Sequence, residues 1–215
     1  HTVSEAQTNL SYTIEQFTHA VAAVLGMPAR IDSSAKSAFG RLYANGANFD
    51  GTETIRDALD DIAEATGTIY YMCGRSWCVT FKRLDKVGTP VLHIDKSKYF
   101  TLTAKEPYTL QGVTHTTELG DNVTATNETD GAHQYIRDNA FIEMRDDVGE
   151  FMNDILSYVD GLTITPVECK WRGNFLLECG DKISFTTKDN NVVSNTSTTN
   201  VNNFETLKET TIIEY

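Results

Sequence analysis

Three stretches of this chain place apolar residues at helical spacing, and most of the sequence between them reads as strand. That mixture confines the fold to an α+β class. The clearest helix is predicted over residues 52–66, where Ile55, Ala58, Leu59, Ile62 and Ala63 fall at i, i+3, i+4, i+7 and i+8. Thr52 is positioned to cap its start, and Gly67 supplies the left-handed stop. A second is predicted over residues 11–25, with Ile14, Phe17, Val21, Val24 and Leu25 on one face and Gly26 and Pro28 beyond it. A third, over residues 145–159, stacks Val148, Phe151, Met152, Ile155, Leu156 and Val159, with Asp146 and Asp147 in its first turn, where the helix dipole favours acids. Leu59 and Ile155 are expected in the core.

Residues 68–73 and 77–82 flank a short turn and predict a hairpin. Further strands are predicted over residues 108–117, 122–127, 162–171, 182–187 and 210–215. Residues 189–203 hold six Asn and five Ser or Thr, a composition compatible with a loop, an exposed strand or a hairpin arm. Gly88 and Pro90 punctuate the chain after the hairpin. Two units follow: a small α+β domain over residues 1–86, with two helices and a hairpin, and a mainly-β, barrel-like domain over 87–215. The second contains one helical excursion near 140–160.

Charge narrows the partners. The net charge is −12, from 18 basic and 30 acidic residues. Residues 1–85 hold seven basic and ten acidic residues, and residues 86–215 hold eleven and twenty, so the second part carries −9. Such a surface repels phosphate and anionic lipid, so specific nucleic-acid binding is not expected. No apolar run reaches the roughly 20 residues of a membrane span, and no secretory leader is legible. A chain beginning at His1 is expected to be a processed product or a piece of something longer.

Cys73 and Cys78 are spaced C-x4-C with no histidine nearby, which is not zinc-knuckle spacing; Cys169 and Cys179 stand further on. All four read as small strand residues, with disulfides open to an exported protein. Sequons at Asn9, Asn122, Asn127 and Asn195 arise readily in so Asn- and Thr-rich a chain. The histidines are scattered: His19 flanks the apolar face of the first helix, and His115 shares a strand face with Val113 and Thr117. Asp57, Asp61 and Glu64 line the side of their helix opposite its apolar stripe, and Asp146, Asp147, Glu150 and Asp154 repeat the pattern. Both sets read as solvated faces. Tyr70, Tyr71, Trp77 and Phe81 cluster on the hairpin; a sugar-stacking role competes there with packing onto the helix.

Nucleotide-binding, nucleophile-elbow and zinc-protease motifs are all missing. The sequence therefore predicts no enzyme, no catalytic, cofactor-binding or metal-ligating residue, and no cofactor. The alternative to a structural protein is a surface-exposed carbohydrate-binding or adhesin module, marked by two or three coplanar exposed rings.

One resemblance is visible in the order of short motifs. Thr54-Ile55-Arg56-Asp57-Ala58-Leu59 and Ile62-Ala63-Glu64 lead into a hairpin ending Phe81-Lys82-Arg83-Leu84. Then come Leu110-Gln111-Gly112-Val113, Ile136-Arg137-Asp138-Asn139-Ala140-Phe141 and Leu162-Thr163-Ile164-Thr165-Pro166. Trp171-Arg172-Gly173-Asn174 and Leu177-Glu178-Cys179-Gly180-Asp181-Lys182-Ile183 close the series. The series resembles tail proteins of phages and prophages from Gram-positive bacteria, specifically the baseplate hub that forms the N-terminal region of tail-associated lysins. It covers most of residues 50–187. Phe175 stands where the family has proline, and 189–203 matches poorly. The resemblance implies a homotrimeric ring closing the tail tube, other tail and baseplate proteins as partners, and a place in the virion tail assembled in the host cytoplasm. It also implies a preceding barrel domain and any lysin activity downstream, both outside this chain.

Overall fold

A computed structural model describes residues 13–41, 49, 52–73, 76–84, 89–117, 119–127, 132–142, 147–174, 177, 179–196, 199–203 and 208–213. In chain order the elements begin with α1 (Ile14–Val24), β1 (Ala29–Ile31), α2 (Lys36–Phe39), α3 (Ile55–Thr66), β2 (Ile69–Cys73) and β3 (Cys78–Lys82). Next come β4 (Leu92–Ile94), β5 (Tyr99–Ala104), β6 (Tyr108–Thr116), β7 (Asn122–Thr126), β8 (Ala132–Arg137) and α4 (Val148–Val159). The series ends with β9 (Thr163–Ile164), β10 (Val167–Trp171), β11 (Lys182–Thr186), β12 (Val192–Thr196), β13 (Thr199–Asn203) and β14 (Lys208–Ile213). The fold is α+β, as the alternation of periods predicts.

Contacts divide the chain into two units that interleave along the sequence: residues 1–83 with 110–160, and residues 84–109 with 161–215. This division differs from the sequence-based one over 110–160, which contacts group with the first unit.

In the first unit, both well-formed N-termini are closed by capping boxes. Thr13 Oγ1 accepts from the Gln16 amide at 3.2 Å, and Gln16 Oε1 accepts from the Thr13 amide at 3.1 Å. At α3 the capping residue is Thr54, not Thr52: its amide donates to Asp57 Oδ2 at 2.8 Å while its Oγ1 accepts from the Asp57 amide at 3.3 Å. Asp57 at the third helical position makes this box reciprocal, and an Asp there is what Thr52 lacks. Helix α4 starts at Val148 with Asp147 at its N-cap position, making no side-chain cap bond; Asp146 lies outside the described residues.

The hairpin β2–β3 gains a third, parallel strand, β1, with Ala29, Arg30 and Ile31 opposite Val79, Thr80 and Phe81. Helices α1 and α3 pack by their apolar stripes, burying Phe17, Val21, Leu59 and Ile62. Phe17 stacks on Phe49 with centroids 5.3 Å apart, and Phe141 stands edge-on to both. Ile155 is buried, as expected from its stripe, on α4, which packs against β7. A second sheet of this unit has the order β7-β6-β8, with β6–β7 antiparallel and β6–β8 parallel.

The second unit is mainly β. One sheet runs β13-β14-β10-β5 and another β12-β11-β4, while β9 pairs with Tyr108 and Thr109 of β6. Its core joins Ile94, Val167, Cys169, Trp171, Leu177, Ile183 and Phe185. Among the described residues the sheets are open, without barrel closure. The strand predicted over 162–171 is broken in two at Pro166, which has no amide to donate. The Asn- and Thr-rich stretch forms β12 and β13, one of the alternatives its composition left open.

Candidate functional site

The first unit's most distinctive polar cluster lies on α3. Asp61 and Glu64, expected on a solvated face, are instead covered by the turn that follows β8. Asp138 enters this turn with φ 49°, a left-handed conformation that an Asp tolerates better than most residues. Asn139 is fully buried. Its Nδ2 donates to the Asp61 carbonyl at 3.0 Å and to Glu64 Oε2 at 3.1 Å, and the Ala140 amide donates to Asp61 Oδ2 at 3.2 Å. Asn139 Oδ1 accepts from the Phe141 amide at 3.1 Å, which aims the Phe141 ring at the Phe17–Phe49 stack. One asparagine thus satisfies two acceptors of the helix and one donor of its own turn.

Electrostatics follows from that cover. Burial pushes the Asp61 carboxyl up to about 7; the Ala140 hydrogen bond opposes the rise, and the charges of Glu64, Asp60 and Asp57 add to it. Burial also raises Glu64, against the Asn139 hydrogen bond. Asp57, exposed at the helix start, is lowered by its bonds to Thr54. The phenol of Tyr70 is raised by burial and by its hydrogen bond to Asp60.

At the other end of α3, Gly67 takes φ 61° and faces Tyr158 of α4. The Arg83 guanidinium lies 3.4 Å above the Tyr158 ring centroid. Arg41 Nη2 donates to Tyr158 Oη at 3.0 Å and pairs with Asp154 at 2.6 Å, while its Cζ sits 5.0 Å from the Phe151 centroid. Arg83 Nε and Nη2 and Arg41 Nη1 are buried without hydrogen-bond partners among the described residues. Rings that accept cations by their faces surround them. Asp154, read as solvated, is exposed and also holds Arg41.

Other singled-out residues are dispersed. His19 is exposed, and His115 is buried in β6. His133 bonds Thr114 Oγ1 at 3.0 Å and presses on Gly112, where an added Cβ would lie 2.6 Å from the imidazole. In the hairpin, Phe81 is buried, Tyr70 packs on it with centroids 5.7 Å apart, and Tyr71 is half-buried. Trp77 is 65% exposed while Phe81 is buried, so these four rings are not exposed together. The second unit has a hollow of about 760 Å³ lined by Lys105, Glu106, Pro107, Thr165, Lys188 and Asp189, among others, with both signs of charge. Among the described residues, no three His, Cys, Asp or Glu side chains are grouped to hold a metal ion, and no helix is long and apolar enough to cross a membrane. The Asn139 turn and the arginine–tyrosine stack were not read from sequence. Asn139 stood inside a recognised motif, which was its only signal.

No protein-family model and no curated protein matches the chain in sequence. Solved structures do match its fold. It is similar to a tail protein from Neisseria meningitidis MC58, at TM-score 0.59 and 9% identity over 98% of this chain and 68% of that one. It is also similar to the 43 kDa tail protein of prophage MuSo2 from Shewanella oneidensis, at 0.56 and 10% over 98% and 64%. The third is prophage tail protein gp18 from Listeria monocytogenes EGD-e, at 0.53 and 13% over 97% and 66%. The chain spans about two thirds of the length of each. The fold is therefore one that phage and prophage tail proteins use.

Proposed function

We propose that this chain is part of a structural protein of a phage or prophage tail, acting in the virion tail with other tail proteins as partners. The observation that carries the reading is coverage: three tail proteins share its fold over 97–98% of its residues. The motif order from Thr54 to Ile183 points the same way. More specifically, the chain is a segment of a baseplate hub of the tail-associated-lysin type, a homotrimeric ring around the tube in its full-length form. A net charge of −12 suits a channel wall that DNA must pass without adhering. The role assigned is assembly and not catalysis. The clasped carboxylates and the arginine–tyrosine stack serve rigidity, holding α3, α4 and the turn after β8 as one body.

Deleting the coding sequence from an inducible prophage tests the assignment. Induced lysates should contain filled heads without complete tails in electron micrographs, and complementation should restore them. Tails of normal number and shape in the deletion strain would overturn it.

A further inference from the structure

The geometry points to Cys73 and Cys78 as an oxidation site that closes to a disulfide across the β2–β3 hairpin. They are register partners, the last pair of the antiparallel ladder before the turn. Directly opposed residues in such a ladder have Cα atoms about 4.5–5.5 Å apart, within the range a disulfide bridges without main-chain movement. The sulfurs already share a partner. Ser76 Oγ donates to Cys73 Sγ at 2.9 Å, and Cys78 Sγ donates to Ser76 Oγ at 3.3 Å, so turning both side chains off one hydroxyl brings them together.

Both thiols are buried, Cys73 at 7% and Cys78 at 4% exposure, so the oxidant reaches them as the hairpin end opens, and Cys78 is then the first nucleophile. Burial raises its thiol, but hydrogen bonds with Ser76 and Thr80 and the Arg30 charge outweigh that and set it below its ordinary value. The oxidant is a low-molecular-weight disulfide such as oxidised glutathione. The Cys78 thiolate attacks it, forming a mixed disulfide and releasing one glutathione. Cys73 then attacks the Cys78 sulfur, forming the bond and releasing the second glutathione. Two protein thiols are oxidised, one glutathione disulfide is reduced to two thiols, and the two protons end on them. Trp77, inside the loop so closed, holds φ 47°, a conformation that the bond would help to hold. The timing rests on the tail reading: the pair stays reduced during assembly in a reducing cytosol and closes after release outside. The bond itself does not rest on it.

The full chain, reduced and then incubated with oxidised glutathione, is alkylated under denaturing conditions and peptide-mapped. The expected product has one Cys73–Cys78 bond, Cys169 and Cys179 still alkylated, and a melting temperature a few degrees above the reduced chain. Cys73→Ser, which exchanges one small side chain for another, should instead retain glutathione on Cys78. Four alkylatable thiols after oxidation, a persistent glutathione adduct on wild-type Cys78, or a bond to Cys169 or Cys179 would overturn the proposal. None of these results bears on the tail reading.

Discussion

Asn139 Nδ2 donates to Glu64 Oε2 at 3.1 Å, joining two residues 75 positions apart through a fully buried amide. Asn139→Ala would leave Glu64 and the Asp61 carbonyl without this donor. A buried group losing its partner costs about 1–3 kcal/mol. Urea denaturation should show a lower midpoint at unchanged slope. An unchanged midpoint would mean that the turn after β8 is held by its apolar residues alone.

The Asp61 carboxyl, raised to about 7 in the fold from an ordinary 3.8, ties stability to pH. Between those values the folded chain keeps a proton that the unfolded chain has lost. Its contribution is therefore fully present below 3.8 and is lost as pH rises through about 7. Asp61→Asn keeps an acceptor for the Ala140 amide and removes the titration. The variant should gain on the wild type as pH rises from about 4 to about 7, and the difference should level off above that, in matched urea titrations. A stability difference independent of pH would contradict the burial assigned to this carboxyl.

Gly67 and Gly26 form a natural comparison. Both take positive φ, 61° and 69°, but a Cβ at Gly67 would meet Tyr158 Cβ and Cδ2 at 3.3 Å, and one at Gly26 would meet nothing within 4 Å. Gly26→Ala should cost the left-handed penalty alone, about 1 kcal/mol. Gly67→Ala should cost more, because Tyr158 is held by Arg83 and Arg41 and yields poorly. Equal melting-temperature losses would show that Tyr158 moves freely.

Tyr158 separates two interactions. Tyr158→Phe removes the acceptor for Arg41 Nη2 and keeps the ring beneath Arg83. Tyr158→Leu removes both and strands the Arg83 guanidinium. The first should cost about 1 kcal/mol and the second clearly more, by thermal denaturation. Equal losses would assign the stack no role of its own.

Much of this fold is written in local patterns. The apolar stripes of α1, α3 and α4, the β2–β3 hairpin and the Gly67 stop all follow from spacing that neighbouring residues share. These three helices start three residues inside their predicted limits; at α1 and α3 the start is set by a reciprocal capping pair, as Thr54 and Asp57 show. Strand β1 has three residues, too few for a period, and forms only because β3 offers it a parallel edge. The central misreading concerns Asp61 and Glu64. Lying opposite the apolar stripe, they look solvated, and only a turn arriving from residues 138–142 covers them. Periodicity reports which face is apolar; it does not report what distant segment closes over the polar one. The same holds for residues 110–160, whose grouping with the first unit is a matter of tertiary contact.

Gold-labelled antibody against this chain, applied to purified phage particles encoding it and viewed by electron microscopy, tests the central claim most directly. The account predicts label confined to the distal end of the tail, in particles that still carry heads. Label on the heads, or particles without label while the protein remains with the cells, would contradict it.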